Sequence, residues 1–237
     1  MKDYIEHYRR DGDYFDYNQE MSKGRVEVER RRGEAILSVL KSLTGGVVLD
    51  IGSGSGKLVK SIAQRGFTLF PVDLSYRNLF GLNHINKIYP VLADGYHLPF
   101  AKNSFDAVIL SSILEHCEKS GAMLSEANYI LRPGGLAIVV TPYKERIVYH
   151  QCIHCNKLTP AYAHLQSFDE NKLGEIFQSS GLEEIKWFVF ANKGLDVCRL
   201  NILLSFLPYR LWRIFDSPAN YITKKAEYIL MMGVKKG

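Results

Sequence analysis

Between Val47 and Pro142 the sequence alternates short, wholly apolar runs with segments of helical spacing. The runs are VVLDI, FTLFPVDLS, IYPVLAD, FDAVILSS and LAIVVTP, and the helical segments are GKLVKSIAQRG, YRNLFGLNHI and AMLSEANYILRPGG. A strand that is apolar at almost every position must be covered on both faces, and a helix between two strands makes them parallel. The pattern therefore predicts an α/β fold built on a doubly wound, mostly parallel sheet.

The flanks follow other rhythms. SKGRVEVERRRGEAILSVLKSL reads as a helix capped by Ser22 and stopped by Gly45-Gly46, with Val26, Ile36, Leu37, Leu40 and Leu43 near helical spacing. Glu27 and Arg31 stand four apart and are expected to pair, which makes the basic run a solvated face. Beyond Pro142, YKERIVYHQCIHCNKLTPAYAHLQ has no clean period and reads as an insert. A helix capped by Asp169, a strand LEEIKWFVFA, an apolar helical stretch LDVCRLNILLSFLPYRLWRIF broken at Pro208, and a last strand KKAEYILMMGVKKG complete the chain.

The alternating core raises the question of what its first loop, VVLDIGSGSGKL, binds. A phosphate-binding loop of the form G-x-x-x-x-G-K-[ST] fails at two positions, since Ile51 replaces the first glycine and Leu58 the metal-binding hydroxyl. A dinucleotide fingerprint, G-x-G-x-x-G, fits Gly52 and Gly54 but meets Lys57 at its third glycine. That weakens a nicotinamide ligand without excluding it, because Asp73 ends the second strand where a ribose-binding acid would stand.

VLDIGSGSG resembles the first motif of class I S-adenosylmethionine-dependent methyltransferases, an acidic residue followed by G-x-G-x-G. Four more segments resemble that family in the same order: PVDLS, ADGYHLPFAKNSFDAVI, SSILEHC and LRPGGLAIVVTP. The resemblance covers roughly Leu43 to Pro142 and is closest to the type 11 group, which includes quinone methyltransferases. It implies a Rossmann-like seven-stranded sheet with an N-terminal helical lid and inserts after the fifth and sixth strands. The implied single domain has a helical cap (1–44), a donor-binding core (45–142), an insert (143–168) and a C-terminal part (169–237).

The resemblance also implies S-adenosylmethionine as methyl donor and S-adenosylhomocysteine as product. The donor-binding residues carried over are Asp50, Gly52, Ser53, Gly54, Gly56, Asp73, Leu74, Asp94, Gly95 and Ser111. In that reading Asp73 accepts from the ribose hydroxyls and Asp94 from the adenine amino group. His116 is the first candidate for a catalytic base and Tyr143 a candidate for the acceptor pocket; His150, His154 and His164 follow as weaker candidates. For His116, capping or packing of the next helix competes with a catalytic role. Asp106 is expected to be structural.

Two features lie outside the core resemblance. Cys152-x-x-Cys155 with His164 has the residue types of a zinc site, yet no second Cys or His pair stands nearby, and a packed hairpin-like lid is the preferred reading. The apolar C-terminal stretch is expected to cap the core, with a dimer contact or a peripheral membrane contact as alternatives. Tyr4, Tyr8, Tyr14, Phe15 and Tyr17 suggest an N-terminal lid.

Composition narrows the partners. The formal charge is +5, the hydrophobic fraction 46% and the charged fraction 23%, ordinary values for a globular protein. No apolar stretch is long enough to span a membrane and the N-terminus lacks a signal-peptide core, so a cytoplasmic protein is expected. The expected partner is a small-molecule or lipid-like acceptor, with no nucleic acid, and the protein is expected to be a monomer or homodimer. The leading function is methyl transfer by in-line displacement. Its alternatives are a non-catalytic donor-binding protein with a methyltransferase core and an NAD-dependent oxidoreductase.

Overall fold

A computed structural model describes residues 5–6, 8–10, 21–151 and 156–237. Nine strands are assigned among them: β1 (Val47–Ile51), β2 (Thr68–Asp73), β3 (Val91–Leu92), β4 (Phe105–Ser111), β5 (Leu131–Pro142), β6 (Tyr149–Gln151), β7 (Leu158–Pro160), β8 (Leu182–Asn192) and β9 (Ala226–Lys235). Seven form one sheet in the order β3-β2-β1-β4-β5-β9-β8, and β6 pairs with β7 in a separate hairpin. Neighbours from β3 to β5 are parallel, while β9 runs antiparallel between β5 and β8. The doubly wound, mostly parallel seven-stranded sheet is as the sequence predicts.

Alternate residues of each central strand feed opposite layers. Val48, Ile109, Ile138 and Val140 pack into one apolar cluster, against α1 (Lys23–Leu40) and α2 (Lys57–Ala63). Leu49, Val108, Leu110 and Val139 pack into the other, against α4 (Ser120–Ile130) and α5 (Glu170–Ser179). This period of two, covered by helices on both faces, explains why the strands carry hardly any polar residues. Asp106 is structural, as expected: its carboxylate accepts from the Val47 amide at 2.7 Å and from Arg132 Nη1 at 2.5 Å, tying β4 to the start of β1 and to β5.

Several elements differ in extent from expectation. The third strand is only Val91–Leu92, because Pro90 offers no amide; Ile88 keeps a single bridge to Leu69. The helix after β2, α3 (Tyr76–Phe80), is capped by Ser75 and gives way to turns at Gly81 rather than continuing to Ile85. The insert contributes the β6–β7 hairpin. The apolar C-terminal stretch becomes three helices, α6 (Lys193–Val197), α7 (Leu200–Leu203) and α8 (Tyr209–Thr223), inserted between β8 and β9.

The basic run on α1 is not a wholly solvated face. Ser22 caps the helix, its Oγ accepting from the Arg25 amide at 3.3 Å. Arg31 and Glu27 pair as expected, at 2.6 Å, but Arg31 is 1% exposed and Glu27 6%. Arg31 Nη1 donates to the Leu207 carbonyl and Nη2 to that of Leu204, both at 3.0 Å, and its guanidinium lies 4.8 Å from the centroid of Trp212. The inserted helical arm thus covers this part of α1, which the local sequence of α1 does not reveal.

Candidate active site

The sheet order reverses between β1 and β4, so the loops leaving these strands diverge and open a crevice at their carboxyl ends. Open α/β sheets bind ligands at this switch point. Here it is a cavity of about 1980 Å³, bordered by the turn after β1, the ends of β2 and β4, and α1.

The turn after β1 owes its course to glycine. Gly52 has φ +72°, and a Cβ there would stand 2.8 Å from Ile113 Cδ1; Gly56 has φ +67°, and a Cβ would stand 2.6 Å from Leu82 Cδ2. Neither position accepts a side chain without strain. Gly52 borders the cavity, whereas Gly56 caps α2 from behind it.

Of the donor-binding residues carried over from the resemblance, Asp50, Gly52, Ser53, Gly54, Asp73, Leu74, Asp94, Gly95 and Ser111 all line the cavity. Asp50 is 2% exposed, and its Oδ1 has no hydrogen-bond partner among the described residues; Ser53 Oγ and Ser111 Oγ share that condition. Burial pushes the Asp50 carboxyl up to about 7, against the attraction of Arg32. Buried polar atoms are almost always satisfied, so three unpartnered ones beside one cavity mark a place for a polar ligand.

Asp73 ends β2. Its Oδ2 accepts from the Gly54 amide at 3.0 Å, while Oδ1 accepts from the Ser75 amide at 2.9 Å and from Asn78 Nδ2 at 3.2 Å. Both carboxylate oxygens are thus held by the turn, at the border of the cavity. Burial raises this carboxyl and the amides of Ser75 and Gly54 hold it down. Asp94 Oδ1 accepts from the Tyr96 amide at 3.0 Å.

His116 lies on a short 3-10 turn, Leu114–His116, that follows β4, and its ring borders the cavity. The Nδ1 faces the Ala163 carbonyl at 3.3 Å, and the ring meets that of His164 edge-on at 4.8 Å. His164 Nδ1 in turn faces a Glu145 carboxylate oxygen at 2.5 Å. The insert is held here by its backbone: the amides of Leu165 and Gln166 donate to the Glu115 carbonyl at 2.7 and 3.2 Å. Glu115 itself is buried, takes a hydrogen bond from Thr141 Oγ1 at 3.0 Å, and is pushed up to about 7 by burial.

Tyr143 is placed differently. It is not among the described residues bordering the cavity; its hydroxyl donates to Glu170 Oε2 at 2.7 Å and its ring lies under Lys144 Nζ at 4.8 Å. Cys152, His154 and Cys155 lie outside the described residues, as do Tyr4, Tyr14, Phe15 and Tyr17. Tyr8 is described, and its hydroxyl donates to the His116 carbonyl at 3.1 Å.

Sequence reasoning missed the wall opposite the glycine turn. Arg25 Nη2 donates to the Tyr228 hydroxyl at 2.6 Å and pairs with Glu29 at 2.8 Å and with Glu227. Arg32 pairs with Glu29 and donates to Ser112 Oγ at 2.6 Å. The only available signal was the charge density of α1, which reads equally well as a surface. Glu145 was missed because a single acid in an aperiodic insert carries no pattern.

Comparison with known proteins places this geometry. Residues 49–139 match the sequence pattern of a methyltransferase domain family. The chain is 29% identical over 209 residues to the malonyl-[acyl-carrier protein] O-methyltransferase of Buchnera aphidicola, a match over 86% of this chain and 78% of the relative. It is 35% identical over 125 residues to the demethylmenaquinone methyltransferase of Corynebacterium efficiens, over 52% of this chain and 53% of the relative. Eight of the curated relatives are spanned to between 31% and 80% of their own length. In fold it resembles the Burkholderia thailandensis 1,6-didemethyltoxoflavin-N1-methyltransferase solved with S-adenosylhomocysteine: TM-score 0.61, 17% identity, 100% of this chain and 87% of that one. The sheet order and the glycine turn agree with these matches: residues 49–139 match a methyltransferase domain of the type 11 group, and the fold is the one that solved methyltransferases share.

Proposed function

We propose that the protein transfers a methyl group from S-adenosylmethionine to a small-molecule or lipid-like acceptor bound in the same cavity. One observation carries the reading: the unpartnered Asp50, Ser53 and Ser111 atoms border a cavity of about 1980 Å³. Single drug-sized ligands occupy pockets of about 300–1,000 Å³. The space therefore suits two reactants side by side, with the polar atoms marking one half.

S-adenosylmethionine, when bound, supplies a methyl group activated by a sulfonium. Asp50, Gly52, Ser53, Gly54, Asp73, Leu74, Asp94, Gly95 and Ser111 would hold it, and Gly56 supports the turn from behind. Orientation of the two reactants provides most of the acceleration in such a displacement, and a dry site favours loss of charge. The insert serves both ends by closing the cavity beside His116 through its bonds to Glu115.

His116 is the proposed base for an acceptor hydroxyl or enol. The Ala163 carbonyl only accepts, so it selects the tautomer with hydrogen on Nδ1 and makes Nε2 the basic nitrogen. His164, held at its own Nδ1 by Glu145, stands beside it and orients the pair. Tyr143, engaged by Glu170, is not assigned a role in the reaction. The relatives' names, a demethylmenaquinone methyltransferase and a malonyl-[acyl-carrier protein] O-methyltransferase, define the acceptors to try first.

Transfer of radiolabelled methyl from S-adenosylmethionine into these two acceptors tests the reading. His116→Asn should lower transfer by about 10²-fold or more while leaving affinity for S-adenosylhomocysteine unchanged. Undiminished transfer in this variant removes His116 from the role of base. Binding of S-adenosylhomocysteine without transfer to any acceptor would favour the donor-binding alternative.

A further inference from the structure

The arm inserted between β8 and β9 is built inside out. On α8, Trp212, Asp216 and Asn220 face inward. The polar pair is satisfied there: Asp216 Oδ1 accepts from the Asn192 amide at 2.8 Å, and Asn220 Oδ1 accepts from Asn192 Nδ2 at 2.9 Å. Beside the buried Trp212, four apolar side chains point outward, with Leu211 48%, Ile214 63%, Phe215 51% and Ile222 77% exposed. At 3.6 residues per turn these four share one stripe, centred about 140° around the helix from the buried one. Leu203 and Phe206, 66% and 77% exposed, extend the apolar surface before the helix.

The charge of the arm is as one-sided as its apolar stripe. Residues 193–225 hold six basic side chains and two acidic ones, a balance of +4 in a chain whose total is +5. Asp216 is fully buried and paired with Arg213, and Asp196 is half-buried, whereas Lys193, Arg199, Arg210, Lys224 and Lys225 are exposed. Every fully exposed charge on the arm is therefore basic. The surface is also firmly held, since Arg31 binds the carbonyls of Leu204 and Leu207 and Arg30 binds that of Ser205.

We propose that this arm docks the protein on an anionic lipid surface. Aromatic and aliphatic side chains rimmed by Lys and Arg match an interface whose interior is apolar and whose headgroups are negative. A second copy of the chain fits less well, because apposing the two stripes would bring two such basic rims together. A nucleic acid fits less well again, because an apolar stripe gains nothing from a phosphate backbone. The inference stands independently of methyl transfer.

Flotation of the full chain with vesicles of phosphatidylcholine, alone or mixed with phosphatidylglycerol, tests it. The protein should float with the mixed vesicles and remain behind with the neutral ones, and high salt should reverse the binding. Arg210→Glu with Lys224→Glu should lower partitioning roughly twentyfold or more, at about fivefold per basic side chain. Phe206→Ser with Ile222→Ser should abolish it, while the melting temperature of each variant reports that the fold survives. Equal partitioning to both vesicle types, no flotation by the wild type, or a dimer in sedimentation that these substitutions dissolve would each overturn the proposal.

Discussion

Asp73 Oδ2 accepts the amide of Gly54 at 3.0 Å, so the end of β2 is fastened to the glycine turn that follows β1. The bond joins the two sequence features on which the proposed donor half of the cavity rests, and it makes Asp73 a turn-shaping residue as well as a proposed ligand contact. Asp73→Asn keeps an acceptor for Gly54 but removes the charge. Its affinity for S-adenosylhomocysteine should fall about tenfold or more, as expected for a hydrogen bond to a charged group worth about 1.5–3 kcal/mol. Calorimetric titration checks this, and unchanged affinity removes Asp73 from the binding role.

The two buried carboxyls make stability depend on pH with a definite sign. Burial pushes Asp50 from 3.8 and Glu115 from 4.5 up to about 7 each. A raised folded pKa means that the contribution is full below the unfolded value and is lost as pH rises through about 7. Glu115→Gln removes one such titration. Relative to wild type, it should therefore gain roughly 1–3 kcal/mol in denaturant unfolding between about pH 5 and about pH 8. A difference that stays constant across this range contradicts the assignment.

Arg31→Met tests how the arm is attached. The change removes the donors to Leu204 and Leu207 and one partner of the buried Glu27, which Arg30 still contacts at 2.6 Å. Breaking a buried pair in this way should destabilise the fold by about 3 kcal/mol. Amide exchange should accelerate first in residues 200–223; uniform acceleration would mean that the arm does not hang on this residue.

Gly56→Ala separates shape from contact. Its Cβ would meet Leu82 Cδ2 at 2.6 Å in a backbone region that alanine disfavours, a strain of about 1–3 kcal/mol. Melting should show the loss, and in a double-mutant cycle with the core truncation Leu82→Ala the coupling energy should recover only the steric part. A coupling energy equal to the whole Gly56→Ala loss would show that the positive φ carries no penalty.

The fold and the proposed donor half of the site were legible because their determinants are local: a glycine spacing, an acid at a strand end, and wholly apolar strands whose order fixes a parallel sheet. The acceptor half was not. The nearness of His116, His164 and Glu145 depends on the insert folding back across the turn after β4 through the Glu115 carbonyl, a contact between residues some fifty positions apart. The expected solvated face of α1 failed for the same reason, since Arg31 is buried by a segment more than 170 residues away. The arm read as an apolar cap because periodicity reports that a helix has two faces, and not which of them turns inward.

The central claim is that the cavity at the β1–β4 switch binds a sulfonium nucleoside rather than a nicotinamide dinucleotide. Calorimetric titration of the full chain with S-adenosylhomocysteine and, separately, with NAD measures it most directly. The predicted result is one saturable site for S-adenosylhomocysteine, with affinity rising from about pH 6 to about pH 8 as Asp50 ionises towards the ligand ammonium, and no heat with NAD. Saturable binding of NAD with none of S-adenosylhomocysteine would contradict it.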